Sequence, residues 1–371
     1  MLFERVLYFG ADFRFHTGDV EVDAGRIAAV RPRGRTPRAM LLPGLVDIHL
    51  HGNSGADFSD GAEESLLRMA RFLAAHGTTS FSPASLTLPE ERLKAAYRTA
   101  ARLHAARPES AAALRGITME GPFFSMGKHG AQNPEHLRLP DAALFARLQR
   151  EAAGLIRIAC IAPELPGALD CICTVAAEGV KVSLAHTEAD YDTASAAFDA
   201  GASHVTHLFN AMPPLLHRAP GVIGAASERE TVTAELIADG IHVHPSAVRA
   251  AFRLFPGRVC LVSDALSACG MPEGEYMLGG QSIRVSGSRA MLSDGTLAGS
   301  VATLFDCMKN AVRFGVPAEE AVRAASHTPA RVIGADGETG AIREGLAADL
   351  LLCGMDWELQ AVYIGGMSVT V

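Results

Sequence analysis

Short apolar segments typical of buried β-strands alternate with amphipathic segments typical of helices between residues 41 and 263. The strand pattern occurs eight times, at residues 41–48, 78–82, 115–120, 155–161, 180–185, 203–206, 232–237 and 258–263. The helix pattern fills most of the gaps, at residues 62–76, 89–106, 140–152, 168–178, 191–200 and 245–255. Alternation of this kind is typical of parallel βα units, and eight units predict an α/β fold closed into a (β/α)8 barrel of the TIM type.

Strand-like patterns also occur near both ends of the chain, at residues 20–22, 26–30, 348–352 and 361–364. The first two flank a glycine-containing turn, which predicts a β-hairpin. The last two are rich in residues that strands favour. We expect the two ends to pair into a small β-sandwich domain, made of residues 1–42 and 335–371. Residues 43–334 then form the catalytic barrel domain.

The composition argues against several classes of partner. The 371 residues have a net charge of -8 and no basic block, which argues against nucleic acid. No run of about 18 uncharged apolar residues occurs, so no membrane-spanning helix is expected. Glu4 and Arg5 interrupt the first apolar stretch, unlike a signal peptide. The seven cysteines form no Cys-x-x-Cys pair, so we expect reduced core cysteines and a cytoplasmic location.

The first predicted barrel strand ends in His49 and His51, which are separated by one residue and followed by a glycine. Residues two apart on a strand point to the same side, so the two imidazole rings can be directed at one point. Two neutral imidazoles at one point suit a metal ion such as Zn, Fe, Ni or Cu. Taken alone, however, such a pair is more often two half-buried histidines beside a turn.

Four further strands end in a side chain that can bind a metal ion. They are the third, fifth, sixth and eighth strands, and the residues are Glu120, His186, His207 and Asp264. Barrel active sites are built at the carboxyl ends of the strands, so six such coincidences favour a metal centre. Each residue also has a simpler interpretation: Glu120 can cap a turn, and His186 can be a core histidine. Asp264 can be a ligand, a general base or a helix cap.

Two other pairs of histidines compete with this set. His204 and His207 are three residues apart and face opposite sides of a strand, so only one is expected to point inward. We favour His207, because it precedes the loop that contains Asn210. His242 and His244 form a second His-x-His pair beyond the seventh strand. In a loop above the barrel, a substrate contact is favoured over a second metal centre.

Four stretches of the sequence resemble the N-acetylglucosamine-6-phosphate deacetylase family of the amidohydrolase superfamily. They are residues 43–52 (PGLVDIHLHG), 119–124 (MEGPFF), 205–212 (VTHLFNAM) and 297–300 (LAGS). The first stretch is shared across the superfamily, whereas the second and third are more specific. The resemblance covers nearly the whole chain. It implies hydrolysis of N-acetylglucosamine 6-phosphate to glucosamine 6-phosphate and acetate.

The resemblance also implies roles for individual residues. The main metal ligands of the family are matched by Glu120, His186 and His207. The catalytic acid and base is matched by Asp264. The contacts to the sugar phosphate are matched by Ala131, Gln132, Asn210, Ala211, Arg218, His242, Leu297, Ala298 and Gly299. Among these, the Arg218 guanidinium is expected to bind the phosphate, and His242 and the backbone amides of Asn210 and Ala211 could add donors. Without the resemblance, Arg218 could equally be a solvated loop arginine.

The implied cofactor is a divalent metal, with one or two ions per subunit. His49 and His51 would hold the second ion or orient the water, and the residue types do not distinguish Zn, Fe, Mn and Co. His129 or another loop residue could assist the developing oxyanion. In the family, the neighbourhood of His242 is implied to reach the active site of a partner subunit, so a homodimer is expected.

Two other functions are compatible with parts of this pattern. Another amidohydrolase, such as a D-amino-acid deacylase or a cyclic amidase, would use the same metal face without the phosphate contacts. A catalytically silent sugar-phosphate-binding protein would keep those contacts and would not need Asp264. The intact set of potential ligands, together with Asp264, favours the hydrolase.

Overall fold

The computed structural model describes residues 1–370, and its elements follow the alternating order of the sequence pattern over most of the chain. In this range the strands are β1 (Leu2–Phe9), β2 (Phe15–Asp23), β3 (Arg26–Pro32), β4 (Ala39–Pro43), β5 (Leu45–Asp47), β6 (Gly52–Asn53), β7 (Ala56–Asp57), β8 (Thr78–Phe81), β9 (Ala113–Leu114), β10 (Ile117–Phe123), β11 (Ile156–Ile161), β12 (Lys181–Leu184), β13 (His204–Val205), β14 (Thr233–Ile237), β15 (Val259–Val262), β16 (Gly274–Leu278), β17 (Gln281–Ser286), β18 (Arg289–Leu292), β19 (Leu297–Gly299), β20 (Leu350–Cys353), β21 (Leu359–Ile364) and β22 (Met367–Val369). The α-helices are α1 (Glu63–Ala75), α2 (Glu90–Ala106), α3 (Ala142–Glu151), α4 (Ala168–Ala177), α5 (Tyr191–Asp199), α6 (Gly221–Ser227), α7 (Pro245–Leu254), α8 (Leu304–Arg313), α9 (Ala318–Ala325) and α10 (His327–Val332).

Eight parallel strands, β5, β8 and β10 to β15, form the central barrel. A bridge between Ala84 and Thr118 joins the end of β8 to β10. The backbone amide of Asp264 donates to the carbonyl oxygen of His49 at 2.9 Å, which joins the eighth strand to the first. Seven of the eight predicted segments contain one of these strands, and the third overlaps β10, which continues past Glu120 to Phe123. The prediction of a (β/α)8 barrel is confirmed.

The helices around the barrel form because apolar residues recur on one face. In α1, Leu66, Met69, Ala70 and Leu73 are buried, and Glu63 in the first turn complements the helix dipole. The six predicted helices are all present, and their ends lie within two residues of the predicted ends. Sequence periodicity therefore predicts this part of the fold well.

The two ends of the chain meet in one seven-stranded sheet, with the order β22-β21-β20-β4-β1-β2-β3. Strand β20 pairs antiparallel with β4, so that Leu351 lies opposite Leu42. A separate cluster of buried apolar side chains, which includes Phe3, Tyr8 and Ile342, belongs to this sheet. A second, sheet-rich domain built from both chain ends is therefore confirmed. Its boundaries at residues 42 and 335 stay a prediction.

The first predicted strand is divided between the two sheets. Its first part belongs to β4, in the sheet of the chain ends, and its second part to β5, in the barrel. The break falls at Gly44, where an added Cβ atom would lie 2.1 Å from the hydroxyl oxygen of Thr79 in β8. This close approach requires glycine. The apolar pattern does not reveal the break, because both parts are buried.

A four-stranded antiparallel sheet, β16 to β19, follows the eighth barrel strand and was not predicted. A signal was present, because buried Ile283 and Val285 alternate with exposed Arg284 in β17. Gly279 and Gly280, with φ values of 57° and 93°, form the turn that precedes this strand. Helices α6, α8, α9 and α10 were also outside the predicted set.

No helix in residues 1–370 has the length and apolar character that crossing a membrane requires. All seven cysteines are free thiols, and six of them are buried as predicted. Cys173 is exposed, contrary to prediction. It lies on α4 away from the buried stripe formed by Cys171, Ile172 and Val175.

Candidate metal centre and active site

A cavity of about 470 Å³ opens at the carboxyl ends of the barrel strands. Predicted metal-binding or catalytic residues that line it are His51, Glu120, His186, His207 and Asp264. Predicted substrate contacts that line it are Ala131, Gln132, Asn210, Ala211, His242, Leu297, Ala298 and Gly299. His49 is fully buried beside this set, 3.3 Å from Glu120. The structure thus brings together every predicted site residue except Arg218.

One oxygen of Glu120 is at the centre of the first cluster. Oε1 of Glu120 lies 3.2 Å from Nε2 of His186 and 3.2 Å from Nε2 of His207. The two nitrogen atoms are 3.1 Å apart. Ligand atoms bound about 2.0 Å from a tetrahedral zinc ion lie about 3.3 Å from one another. The three atoms therefore have the spacing of ligands that share one cation.

Hydrogen bonds on the far side of the rings determine which nitrogen faces the cluster. Nδ1 of His186 lies 2.8 Å from the carbonyl oxygen of Lys128, and Nδ1 of His51 lies 3.1 Å from that of Ala84. A carbonyl oxygen can only accept, so each Nδ1 carries a hydrogen and donates it. In the neutral ring, Nε2 then keeps its lone pair and is free to bind a metal ion.

The second cluster consists of His49, His51 and Asp264. Oδ1 of Asp264 lies 3.3 Å from Nε2 of His51 and 3.7 Å from Nε2 of His49. Nε2 of His49 lies 3.3 Å from Oε1 of Glu120, so Glu120 contacts both clusters. Within residues 1–370 this buried nitrogen has no hydrogen-bond partner. A buried lone pair among carboxylate oxygens is unfavourable without a cation, so these residues fit a divalent metal ion.

Three site residues have backbone conformations in the left-handed region, with φ values of 47° at His186, 32° at His207 and 49° at Asp264. Each lies two residues beyond the end of its strand. Such conformations are uncommon for residues other than glycine and cluster at functional sites. They also explain an error: His204 and His207 are both buried in the barrel, although only one was predicted to point inward. Because β13 ends at Val205, the strand alternation does not extend to His207.

A carboxylate that the sequence analysis missed completes the centre. Glu235, in the middle of β14, is fully buried. Its Oε2 accepts a hydrogen bond from Nδ1 of His49 at 2.8 Å, and its Oε1 lies 3.1 Å from Nε2 of His204. A glutamate inside an otherwise apolar strand was the available signal, because a buried carboxylate requires a partner.

Burial and neighbouring charges act in opposite directions on the carboxylates. Burial raises the pKa of Glu120, but His49 and the other imidazoles around it, when they are protonated, outweigh burial and hold this pKa well below its usual value. Burial also raises the pKa of Asp264, but His51 and the neighbouring imidazoles, when they are protonated, lower it below its usual value. For His186, burial lowers the pKa, which favours the neutral ring that a metal ion needs.

Gln132 holds the carboxylate of Glu120 in addition to lining the cavity. Its amide group donates to Oε2 of Glu120 at 2.5 Å, and its own oxygen accepts from the backbone amide of Thr87 at 2.7 Å. These bonds fix the orientation of the amide plane. The contact of Gln132 with a substrate stays a prediction.

Arg218 is the predicted site residue that the structure leaves outside the cavity. It is exposed in the loop between β13 and α6. His242 lines the cavity, with its Nδ1 bonded to Oδ2 of Asp239 at 2.7 Å. The backbone amide of Asn210 donates to the carbonyl oxygen of His207 at 2.9 Å. Its contact with a phosphate stays a prediction.

Comparison with known proteins relates this site to a group of hydrolases. The chain is 39% identical over 357 residues to N-acetylglucosamine-6-phosphate deacetylase of Bacillus subtilis (strain 168), with 92% of this chain and 90% of the relative covered. It is 35% identical to N-acetylgalactosamine-6-phosphate deacetylase of Escherichia coli O157:H7, with 92% of each covered.

A solved structure has the same fold over nearly the whole chain. It is a mutant of N-acetyl-D-glucosamine-6-phosphate deacetylase from Mycobacterium smegmatis in complex with N-acetyl-D-glucosamine-6-phosphate. The TM-score is 0.90 at 35% sequence identity, and 96% of each chain is covered. Residues 40–369 match the model of the amidohydrolase family. The chain therefore belongs to the amidohydrolase family.

Proposed function

We propose that this chain is a divalent-metal-dependent hydrolase that removes the acetyl group from N-acetylglucosamine 6-phosphate, giving glucosamine 6-phosphate and acetate. The observation that carries the proposal is the position of Glu120. One buried carboxylate contacts both clusters of potential ligands at the cavity. Relatives named for deacetylation of phosphorylated amino sugars support this choice of substrate.

The reaction requires a nucleophile and a proton carrier. Glu120, His186 and His207 would hold a divalent cation, which would supply a water molecule of lowered pKa and polarise the acetamide carbonyl. Asp264, ionised at neutral pH, accepts a proton from this water as the water oxygen bonds to the carbonyl carbon. Asp264 then gives the proton to the sugar nitrogen as the C–N bond breaks. The products are acetate and the free amine.

His129 cannot assist the oxyanion as a neutral donor through Nε2. Its Nδ1 lies 3.0 Å from the carbonyl oxygen of Gln132, so Nδ1 carries the hydrogen of the neutral ring. Nε2 of the neutral ring then has no proton to donate. His129 lines the cavity, and we propose that it contacts the substrate elsewhere.

We propose that Arg218 reaches the cavity of a second copy of the chain in a homodimer. Arg218 is exposed and does not line its own cavity. The same loop exposes Leu215 and Leu216, which are 43% and 53% exposed. A subunit contact would cover these adjacent apolar side chains. In a two-fold dimer, each loop would contact the partner in the same way, and each arginine could bind the partner's substrate phosphate.

A mixing experiment tests this arrangement. Arg218→Ala is expected to lower kcat/KM for the phosphorylated sugar by about 10- to 100-fold, because a bidentate phosphate contact is lost. Mixing Arg218→Ala with inactive Asp264→Asn chains is expected to restore activity. After random exchange, about one quarter of the cavities combine an intact Asp264 with an intact arginine from the partner. If activity did not recover in a mixture shown to contain mixed dimers, the proposed contact across the dimer would be wrong. Arg218 would then act in its own subunit or would not bind the phosphate.

The proposed function is tested by measuring acetate release from N-acetylglucosamine 6-phosphate with the metal-loaded chain. We expect turnover to stop after chelation and to return when Zn²⁺ or Co²⁺ is added. The unphosphorylated sugar is expected to give a kcat/KM lower by about 100-fold, because the remote phosphate positions the acetamide. Comparing the rate with that for N-acetylgalactosamine 6-phosphate, which has the same phosphate and differs at C4, measures the selectivity for the sugar isomer.

Each rival function predicts a different result in this assay. Equal rates on the phosphorylated and unphosphorylated sugars would favour another amidohydrolase function. N-acylated D-amino acids would then be the next substrates to test. Binding of the phosphorylated sugar without acetate release from the metal-loaded chain would favour a sugar-phosphate-binding protein. We also propose a cytoplasmic location, since free cysteine thiols suit a reducing compartment.

A further inference from the structure

Glu235 accepts a hydrogen bond from a site histidine through a carboxylate, whereas two other site histidines donate to backbone carbonyl oxygens. Nδ1 of His51 and Nδ1 of His186 each donate to a backbone carbonyl oxygen. Nδ1 of His49 instead donates to Oε2 of Glu235 at 2.8 Å, and both of these side chains are fully buried. A carboxylate partner fixes the tautomer of an imidazole and makes its other nitrogen a stronger metal ligand.

Both oxygens of Glu235 are held in place by other contacts. Oε1 lies 3.1 Å from Nε2 of His204, whose Nδ1 lies 2.6 Å from the hydroxyl oxygen of Thr233. Oε2 also accepts the backbone amide of His207 at 3.2 Å. The carboxylate is therefore rigidly positioned by these contacts.

The opposite side of the His49 ring faces the metal centre. Because Nδ1 donates its hydrogen to Glu235, Nε2 of the neutral ring presents a lone pair. This nitrogen is 3.3 Å from Oε1 of Glu120 and 3.7 Å from Oδ1 of Asp264, and it has no hydrogen-bond partner in residues 1–370. A lone pair and two carboxylate oxygens that converge in this way are ligands for a cation.

We infer that Glu235 is a positioning residue that makes His49 a metal ligand and thereby allows a second divalent ion to bind at the His49, His51 and Asp264 cluster. The inference rests on the proposed metal-dependent function and identifies the residue that controls how many ions the cavity holds. Glu235 does not line the cavity itself and acts through the imidazole.

The ligand atoms are arranged as two sets, which supports two ions rather than one. Glu120, His186 and His207 form one buried set, and His49, His51 and Asp264 form the other. Within each set the ligand atoms lie within 4.8 Å of one another. Each set can therefore hold a cation of its own, with Glu120 in contact with both.

The inference is tested by titrating the metal-free chain with Co²⁺ while recording its visible absorption, followed by elemental analysis of bound metal. The wild-type chain is expected to bind two Co²⁺ ions. Glu235→Gln keeps the size of the side chain and removes its charge. We expect it to raise the Kd of the weaker ion by about 10- to 100-fold and that of the tighter ion by less than about threefold.

Further variants separate positioning from a general structural effect. His49→Asn is expected to lose the weaker ion, and Glu235→Gln added to it should cause no further change in Co²⁺ binding. Glu235→Asp keeps the charge, withdraws the carboxylate by about 1.5 Å, and should weaken the same ion even if Glu235→Gln folds poorly. Asp349→Asn is the matched control, because buried Asp349 bonds to the Thr339 hydroxyl and the Gly365 backbone amide, and to no imidazole. It should keep both ions.

Several results would overturn the inference. Unchanged Co²⁺ binding in Glu235→Gln and Glu235→Asp would overturn it. A double variant with His49→Asn that loses as much additional Co²⁺ affinity as Glu235→Gln loses alone would also overturn it. A wild-type chain that binds one Co²⁺ ion would also overturn it, while leaving the proposed function intact. A wild-type chain that binds no Co²⁺ ion would instead contradict the metal-dependent function itself.

Discussion

Asp264→Asn is expected to lower kcat for acetate release by about 10³-fold, because the carboxamide can neither accept the proton of the attacking water nor return it to the amine. The substitution keeps the shape of the side chain. The tighter metal ion should remain, since its proposed ligands are Glu120, His186 and His207. The measurements are kcat at saturating N-acetylglucosamine 6-phosphate and the metal content of the same sample.

Asp294→Asn is the matched control for this prediction. Asp294 also lines the cavity, but its Oδ1 accepts the backbone amide of Thr296 at 2.8 Å within a turn. The same chemical change there is expected to alter kcat by less than about threefold. If Asp264→Asn retained a tenth or more of the wild-type kcat with its metal in place, another group would have to carry the proton.

The positions of the strand ends explain why most of the site could be predicted from the sequence. Glu120, His186, His207 and Asp264 follow apolar segments whose limits depend on local composition and periodicity. Closure of a barrel brings the ends of its strands together, whatever length of chain separates them. A correct strand assignment was therefore sufficient to place these four residues at one cavity.

Other features depend on contacts between distant segments and could not be predicted in this way. Glu235 bonds to His49, which lies 186 positions away in the sequence. The division of the first strand at Gly44 depends on the approach of Thr79 from the next strand. The exposure of Arg218 depends on the path of its loop. The local pattern indicates that a buried Glu235 needs a partner but does not identify His49 as that partner. It indicates neither the approach of Thr79 nor the exposure of Arg218, because the closed fold sets both.

Glu120→Gln is expected to lower acetate release by about 10⁴-fold or more, because loss of the metal centre removes several kcal/mol of transition-state stabilisation. Oε1 of Glu120 lies within 3.3 Å of Nε2 atoms of three histidines, His49, His186 and His207. A neutral amide in this position supplies no charge to either cluster. Elemental analysis should therefore find both ions weakened, unlike Glu235→Gln, which should affect one.

Thermal unfolding measures the same loss without any substrate. A ligand that binds only the native state stabilises it by RT ln(1 + [L]/Kd), or about 4 kcal/mol at 1,000 times Kd. Zn²⁺ should therefore raise the Tm of the wild-type chain and leave that of Glu120→Gln nearly unchanged. Glu164→Gln should keep the wild-type response, because Glu164 bonds to the Thr187 hydroxyl and the Glu188 amide instead of an imidazole. A full Zn²⁺ response in Glu120→Gln would mean that the histidines and Asp264 hold the cation alone, and the shared carboxylate would lose its assigned role.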